Sequence, residues 1–337
     1  MDGLLLASVL ILWCSLAGLL SSSELPAESD DALDTWMGEY VGLFSAPGSQ
    51  VARAEAKVIA EGDGRYRARL TLLDENPRTV SLTGKLAERA VSLTGADDNP
   101  AWRGTITGGL LTATSAHDEG KGEGKTFRLV RIERESPTAG LRPPQYAVVL
   151  LSYEPGQPPA LDHWTNKNWK ALADGSVQVT GGHNRTLQPH GSGLFHIEFK
   201  IPYEPAGRGQ GRGNSGVYFA SRYEIQVLDS FGLEPGPGDC GAIYGVAVAR
   251  ANACLPPLKW QTYDVIYHAP HKGAGGELEP ATMTVFHNGV RIHENQPVPA
   301  PTRAAPEGSN AVQGPLFLQD HGHPVGFRNI WYLPLED

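Results

Sequence analysis

Cysteine is scarce in this chain, three residues among 337, and no paired-cysteine or H-E-x-x-H spacing marks a zinc site. Basic charge is also short. Lys and Arg total 28 against 37 Asp and Glu, a net charge of -9, so nucleic acid is not an expected partner, and a neutral or cationic small molecule fits better. Long apolar runs are missing except from Leu4 to Leu20, bordered by small residues and carrying only Asp2 as charge nearby. Residues 1–23 therefore read as a secretory signal, with an uncleaved membrane anchor as the alternative. Trp13 before Cys14 ranks lipoprotein processing below simple secretion, so a secreted, periplasmic or cell-envelope location is expected. Once the signal is removed only Cys240 and Cys254 remain. In an oxidising compartment a bridge between them is the expectation, with two buried thiols as the alternative.

What is plentiful is glycine and proline, 40 and 26 residues, which cut the chain into short pieces and favour an all-β fold. Residues 24–135 give short alternating segments such as RYRARLTLL and TVSLTGKLA, separated by turn compositions like GDG and DENP. They predict a small antiparallel barrel or sandwich without a catalytic constellation. His117, beside Asp118 and Glu119, reads as solvated. The Pro-rich stretch 136–144 reads as a linker. Residues 145–337 form a second β region: in GLFHIEFKI, Phe195, Ile197, Phe199 and Ile201 share one face, opposite His196, Glu198 and Lys200. Two packed antiparallel sheets of jelly-roll kind are the economical solution.

The string GRGNSG, from Gly211 to Gly216, has the G-x-G-x-x-G spacing of a dinucleotide loop. Such a loop needs a strand before it and a helix after it, whose N-terminus holds the pyrophosphate. Here IPYEPAGRGQ precedes and VYFASRYEIQVL, a β alternation, follows, so the nucleotide reading fails on context. The glycines instead deliver Asn214 and Ser215 to the start of a strand.

GRGNSGVYFASRYEIQVLDSFG, followed by CGAIYGVA, NACLPPLKWQTYDV, TVFHNGV, GPLFLQDHG and FRNIWYL, resembles the 3-keto-disaccharide hydrolase domain family from Tyr146 to Tyr332. The resemblance implies a concanavalin-A-like jelly-roll sandwich and cleavage of 3-keto-glycosides, by hydrolysis or by elimination then hydration. It also implies functional partnership with a sugar 3-oxidoreductase. The chain departs from the family's pattern at LLSYEPGQPPALDHW, where members usually read LFDG, and at GGHNRTL in place of a GGDI-like turn.

Such chemistry needs a base for the hydrogen beside the ketone, a donor or metal at the enolate oxygen, and an acid for the leaving group. Glu224 and Gln226, two apart on one strand face, are the candidate base and its sugar-binding neighbour. In LFLQDHG, His321 is a second acid, base or ligand, Gln319 shares its face, and Asp320 orients it or caps a turn. Asn214, Asp229, Tyr244 and Arg328 are candidate sugar contacts. Arg328 and Asn329 are expected on opposite faces. A divalent metal held by Glu224, His321 and a neighbouring carboxylate is the cofactor expectation. The alternative to an enzyme is a non-catalytic carbohydrate-binding or cell-surface module of the same fold. Trp164, Trp169 and Trp260 read as core or loop anchors.

Overall fold

The computed structural model describes residues 34–335, apart from 76, 97–100, 117–123 and 274. The segment 1–23 read as an export signal, Cys14 within it, and His117 with its acidic neighbours lie outside the described residues.

Alternation in the first β region closes on itself. β1 (Gly38–Ser45), β2 (Ala52–Gly62), β3 (Arg65–Leu72), β4 (Arg78–Ala87), β5 (Ala90–Gly95), β6 (Trp102–Thr107), β7 (Leu110–Ser115) and β8 (Thr126–Ile132) pair in sequence, antiparallel throughout. β1 also pairs with β8, so the sheet is a closed barrel without edges. In β3, Tyr66, Ala68, Leu70 and Leu72 are buried while Arg65, Arg67, Arg69 and Thr71 face outward. An eight-stranded barrel is narrow enough to be filled by side chains. Trp102 packs on Phe127 at 5.3 Å between ring centroids, and Leu82, Leu93 and Leu129 are fully enclosed.

Two further sheets form the second region. The larger runs β10 (Lys170–Ala171), β11 (Val177–Gln178), β22 (Gly326–Pro334), β13 (Gly193–Lys200), β16 (Trp260–His268), β19 (Ala281–His287) and β20 (Val290–Val298), with β9 (Val148–Leu151) also on β22. The smaller runs β12 (Asn184–Arg185), β21 (Phe317–Leu318), β14 (Asn214–Phe219) and β15 (Tyr223–Leu228). A two-stranded ribbon joins β17 (His271–Lys272) to β18 (Leu278–Glu279). The two sheets pack face to face: Phe195 of β13 meets Phe219 of β14 edge-on at 5.0 Å, and Phe219 meets Tyr267 of β16 at 5.5 Å. This is the all-β sandwich the alternation predicts.

Barrel and sandwich belong to one compact unit. Arg69 of β3 donates to the Gly232 carbonyl at 2.7 Å and pairs with Glu234. Arg212 donates to the Ala60 carbonyl of β2 at 3.0 Å. The Pro-rich segment is bonded to the larger sheet: Ser136 Oγ and Thr138 Oγ1 lie 2.7 and 2.8 Å from Thr262 Oγ1, and Thr138 donates to Asp264 at 2.7 Å.

Under that segment sits a buried polar network. Glu198 Oε1 accepts from Gly140 N (2.5 Å), Asn329 Nδ2 (2.7 Å) and His196 Nε2 (3.3 Å), and Oε2 accepts from Arg328 Nε (2.7 Å). His196 Nδ1 reaches Asp264 at 2.6 Å. Burial opposes charge on both groups. The hydrogen bonds with His196 and Asn329 and the Arg328 charge nevertheless hold Glu198 below the ordinary carboxyl value, and Asp264 and Glu198 raise His196.

Arg328 is thus not a sugar contact. It lies in the larger sheet, its guanidinium 4.1 Å from both the Tyr153 and Trp260 rings. Nor are Arg328 and Asn329 on opposite faces. A register shift between His196 and Glu198, with Asn329 at φ 46°, turns both toward Glu198. Trp164 and Trp169 are core residues as expected, whereas Trp260 is half-buried against Arg328.

Candidate active site on the smaller sheet

The hairpin β14–β15 sets the site. Its register pairs Tyr218 with Glu224, Gly216 with Gln226 and Asn214 with Leu228, so these residues share the face turned away from the larger sheet. Val217, Phe219, Tyr223, Ile225 and Val227 take the other face and are fully buried in the core. β21 continues the row, since Phe317 lies opposite Tyr218, and β12 adds Arg185 opposite Phe317.

β15 would be an exposed edge, but the chain covers it. The Tyr244 N–H donates to the Glu224 carbonyl at 3.1 Å, and the Glu224 N–H to Thr302 Oγ1 at 3.2 Å. The turn residues Ala220 and Ser221 adopt φ of 51° and 57° without glycine, held by Ser221 Oγ donating to the Pro315 carbonyl at 3.1 Å.

Glu224 is 2% exposed. Tyr218 hydrogen-bonds it, and Gln319 Nε2 donates to Tyr218 Oη at 3.0 Å. With its amide nitrogen toward the carboxylate, Gln226 donates to Glu224 Oε1 at 3.1 Å and to the Ser215 carbonyl at 2.8 Å. Glu224 Oε2 has no partner, and neither has Asn214 Oδ1 nearby on the same face. Burial pushes the Glu224 carboxyl up to about 7, against the opposing Tyr218 hydrogen bond. Burial and the Glu224 charge raise the Tyr218 hydroxyl well above its ordinary value, so it stays protonated. Buried acceptors without donors are costly, and a hydroxyl donor from water or a ligand would relieve that cost.

Gly216 is what makes room. A Cβ there would sit 2.4 Å from Glu224 Oε1 and 2.8 Å from Tyr218 Cε2. Gly213, at φ 52°, is likewise required, because a Cβ would meet Ile201 Cγ2 at 2.6 Å. Of the nucleotide-like glycines, Gly216 therefore serves close packing around a carboxylate and Gly213 close packing against Ile201, while a Cβ at Gly211 would meet nothing.

The structure brings together Glu224, Gln226, Asn214 and Gln319, with Tyr244 half-buried beside Tyr218. Asp229 is not with them. It is buried, with its Oδ2 accepting from Arg212 Nε at 2.6 Å and Oδ1 from Phe231 N at 3.3 Å, and it anchors the base of the hairpin. Asp320 caps turns, accepting from Gly182 N and Gly322 N at 2.8 Å each. His321 is exposed and stacks on His323 at 6.1 Å. Among the described residues no three His, Cys, Asp or Glu side chains come together to hold a metal. Around Glu224 the partners are a phenol and amides, so these residues do not fit the expected divalent ion.

Cys240 and Cys254 correct a second expectation, being buried free thiols rather than a bridge. Each has its own partner: Cys240 Sγ lies 3.2 Å from Tyr263 Oη, and Cys254 Sγ 3.5 Å from the Leu255 carbonyl. Their mutual hydrogen bond and burial raise the Cys254 thiol well above its ordinary value, which keeps it protonated. Asn184, in the sequon N-R-T, is also buried and bonded through both side-chain atoms.

Sequence reasoning missed Tyr218, Gly216 as a steric requirement, Phe317, His183 and Arg185. The signal for Tyr218 was present: folding the strand about Ala220 and Ser221 sets it opposite Glu224.

The family match and a solved relative place this sandwich, with its buried carboxylate among hydroxyl and amide groups, in a carbohydrate-active, hydrolase-like class. The chain belongs to the 3-keto-alpha-glucoside-1,2-lyase-like domain family, whose model matches residues 155–332. A solved structure of a "putative glycosyl hydrolase" from Parabacteroides distasonis is 33% identical, covering 57% of this chain and 85% of its own, with a TM-score of 0.51. Two more structures from that organism, described in the same words, are 19% and 20% identical with TM-scores of 0.39. They cover 54% and 52% of this chain and 92% and 95% of their own, and add nothing to the assignment. No curated protein matches the chain.

Proposed function

We propose that the protein cleaves 3-keto-glycosides by removing the C2 hydrogen with Glu224. A ketone at C3 acidifies that hydrogen. The carboxylate takes the proton, the C–H pair forms an enolate, and the enolate expels the C1 oxygen substituent to leave an unsaturated ketone. Addition of water across that double bond completes a net hydrolysis. The Gln226 amide and the Tyr218 hydroxyl are committed to Glu224 and orient its carboxylate, and the protonated Glu224 is the acid available to the departing oxygen. Asn214 Oδ1 is an acceptor available to a sugar hydroxyl.

One observation carries this reading: a buried carboxylate with an unpartnered oxygen and a pKa of about 7, poised to exchange protons near neutrality. A sugar 3-oxidoreductase is the reaction class that would supply the ketone. The apolar segment from Leu4 to Leu20 supports export to the place where such substrates arise.

The test is release of aglycone from 3-keto-glucosides. Glu224→Gln is expected to lower kcat by roughly 10³-fold or more while remaining folded. Wild-type kcat/KM is expected to rise with pH and level off above about 7, where the base is ionised. Binding without turnover across a panel of 3-keto-sugars would instead establish a carbohydrate-binding module.

A further inference from the structure

The face of the smaller sheet turned away from the larger sheet is chemically lopsided. On β15 and β14 the free groups are acceptors, Glu224 Oε2 and Asn214 Oδ1. At the β12 end they are donors. Arg185 shares the face of Phe317, Tyr218 and Glu224 through the strand registers, and its side chain is 52% exposed. Among the described residues its only ion-pair contact is with Glu307 at 4.0 Å, the outer limit of such a pair, and that carboxylate is itself 46% exposed.

His183 reinforces the pattern. Its exposed ring packs 5.1 Å from Phe317, and its Nδ1 accepts from the Asp320 N–H at 3.0 Å. That bond places the proton of the neutral imidazole on Nε2, a donor. The nearby Asp320 carboxylate is taken up by two backbone N–H groups. The strand beneath is rigidly held: Thr165 N donates to the Arg185 carbonyl at 2.9 Å, and Asn184 Oδ1 accepts from Asn166 N at 2.8 Å.

We propose that Arg185 and His183 form a subsite for an anionic substituent, a carboxylate or a sulfate ester, on the sugar unit next to the one Glu224 acts upon. Guanidinium binds planar or tetrahedral oxyanions through paired N–H donors. Three strand-to-strand steps separate Arg185 from Glu224, about 14 Å along the sheet, so the anion belongs to a neighbouring unit and not to the ring that loses its C2 proton. The substrate class is therefore an acidic glycoside, a local preference opposite to the one a net charge of -9 suggests. This inference rests on the reading of Glu224 as base and adds the substrate's charge.

The test measures binding to the folded Glu224→Gln protein, so turnover does not enter. Three disaccharides serve as probes: glucosyl-glucose, glucosyl-glucuronic acid and glucosyl-glucose 6-sulfate. At least one acidic probe is expected to bind about tenfold more tightly than the neutral one at low salt, with the preference shrinking as salt is raised. The tighter acidic probe identifies the anion. Arg185→Gln, a change at an exposed side chain, is expected to abolish the preference. Equal binding of all three, no binding of any, or a preference that survives Arg185→Gln overturns the proposal. Failure of Glu224 as base would show separately, as turnover of neutral 3-keto-glucosides that Glu224→Gln does not impair.

Discussion

Glu198 and Glu224 occupy matching places on the two sheets of one sandwich. Both sit on strands next to apolar residues that fill the core, both point away from that core, and both are almost wholly buried, at 0% and 2% exposure. Their surroundings differ. Glu198 has four donors, among them Arg328 and His196, and is held below the ordinary carboxyl value. Glu224 has a phenol and an amide on one side and nothing on Oε2, and is pushed up to about 7. A fully satisfied buried carboxylate is a fastener, and here it holds segment 136–141 to the sheet. An incompletely satisfied one stores unfavourable free energy that a substrate can relieve.

The largest expected effect breaks the fastener. Glu198→Ala removes the acceptor for Arg328, His196, Asn329 and Gly140 together and leaves buried cationic groups uncompensated. A loss of about 3–5 kcal/mol in urea unfolding is expected. The folded fraction should keep its kcat, because the hairpin carrying Glu224 belongs to the other sheet. A loss under 1 kcal/mol, or a fall in kcat of the folded protein, would erase the distinction between the two glutamates.

The next effect has the opposite sign. Unfolded, Glu224 loses its proton near 4.5; folded, near 7. Between these values the native state holds the extra proton, so stability falls as pH rises through the window and the loss is complete above about 7. The difference corresponds to roughly 3 kcal/mol at most. Glu224→Gln removes this burden. It is expected to unfold at higher urea than wild type at pH 8 and at about the same urea at pH 4. Thermal or urea midpoints at the two pH values check it, and a mutant less stable at pH 8 would contradict the burial argument.

The same two strands show how far sequence alone reaches. Alternation in GLFHIEFKI and RYEIQVLDS placed each glutamate on the correct face, because a period of two is local information. It could not say which would be covered. That depends on Gly140 and Asn329, 58 residues upstream and 131 downstream of Glu198 in the chain. Asn329 escaped the alternation because a bulge reverses its face, and no local pattern announced it. The family resemblance singled out Glu224, Gln226, Asn214 and Gln319, which do converge. It also drew in Asp229 and Arg328, which in this chain are paired with Arg212 and Glu198. The thiols show a third limit. Compartment chemistry suggested a bridge, but the two are free thiols that meet through a hydrogen bond in the core.

The smallest change tests placement alone. Gly216→Ala adds one methyl where a Cβ would lie 2.4 Å from Glu224 Oε1, the far end of a flexible side chain, and 2.8 Å from Cε2 of the buried Tyr218 ring, so these side chains must give way. The strand keeps its backbone bonds, such as Gln319 N donating to the Gly216 carbonyl at 3.0 Å, so the fold survives. The carboxylate, however, must shift by an appreciable fraction of an ångström or more, and proton transfer is sensitive to displacement on that scale. A fall in kcat of roughly 10- to 100-fold is expected, with KM changing less. If a base at Glu224 performs the chemistry, this methyl impairs the reaction without removing any functional group. An unchanged kcat would mean that the position of the Glu224 carboxylate does not limit the reaction, and the distinction from Glu198 would then be one of stability alone.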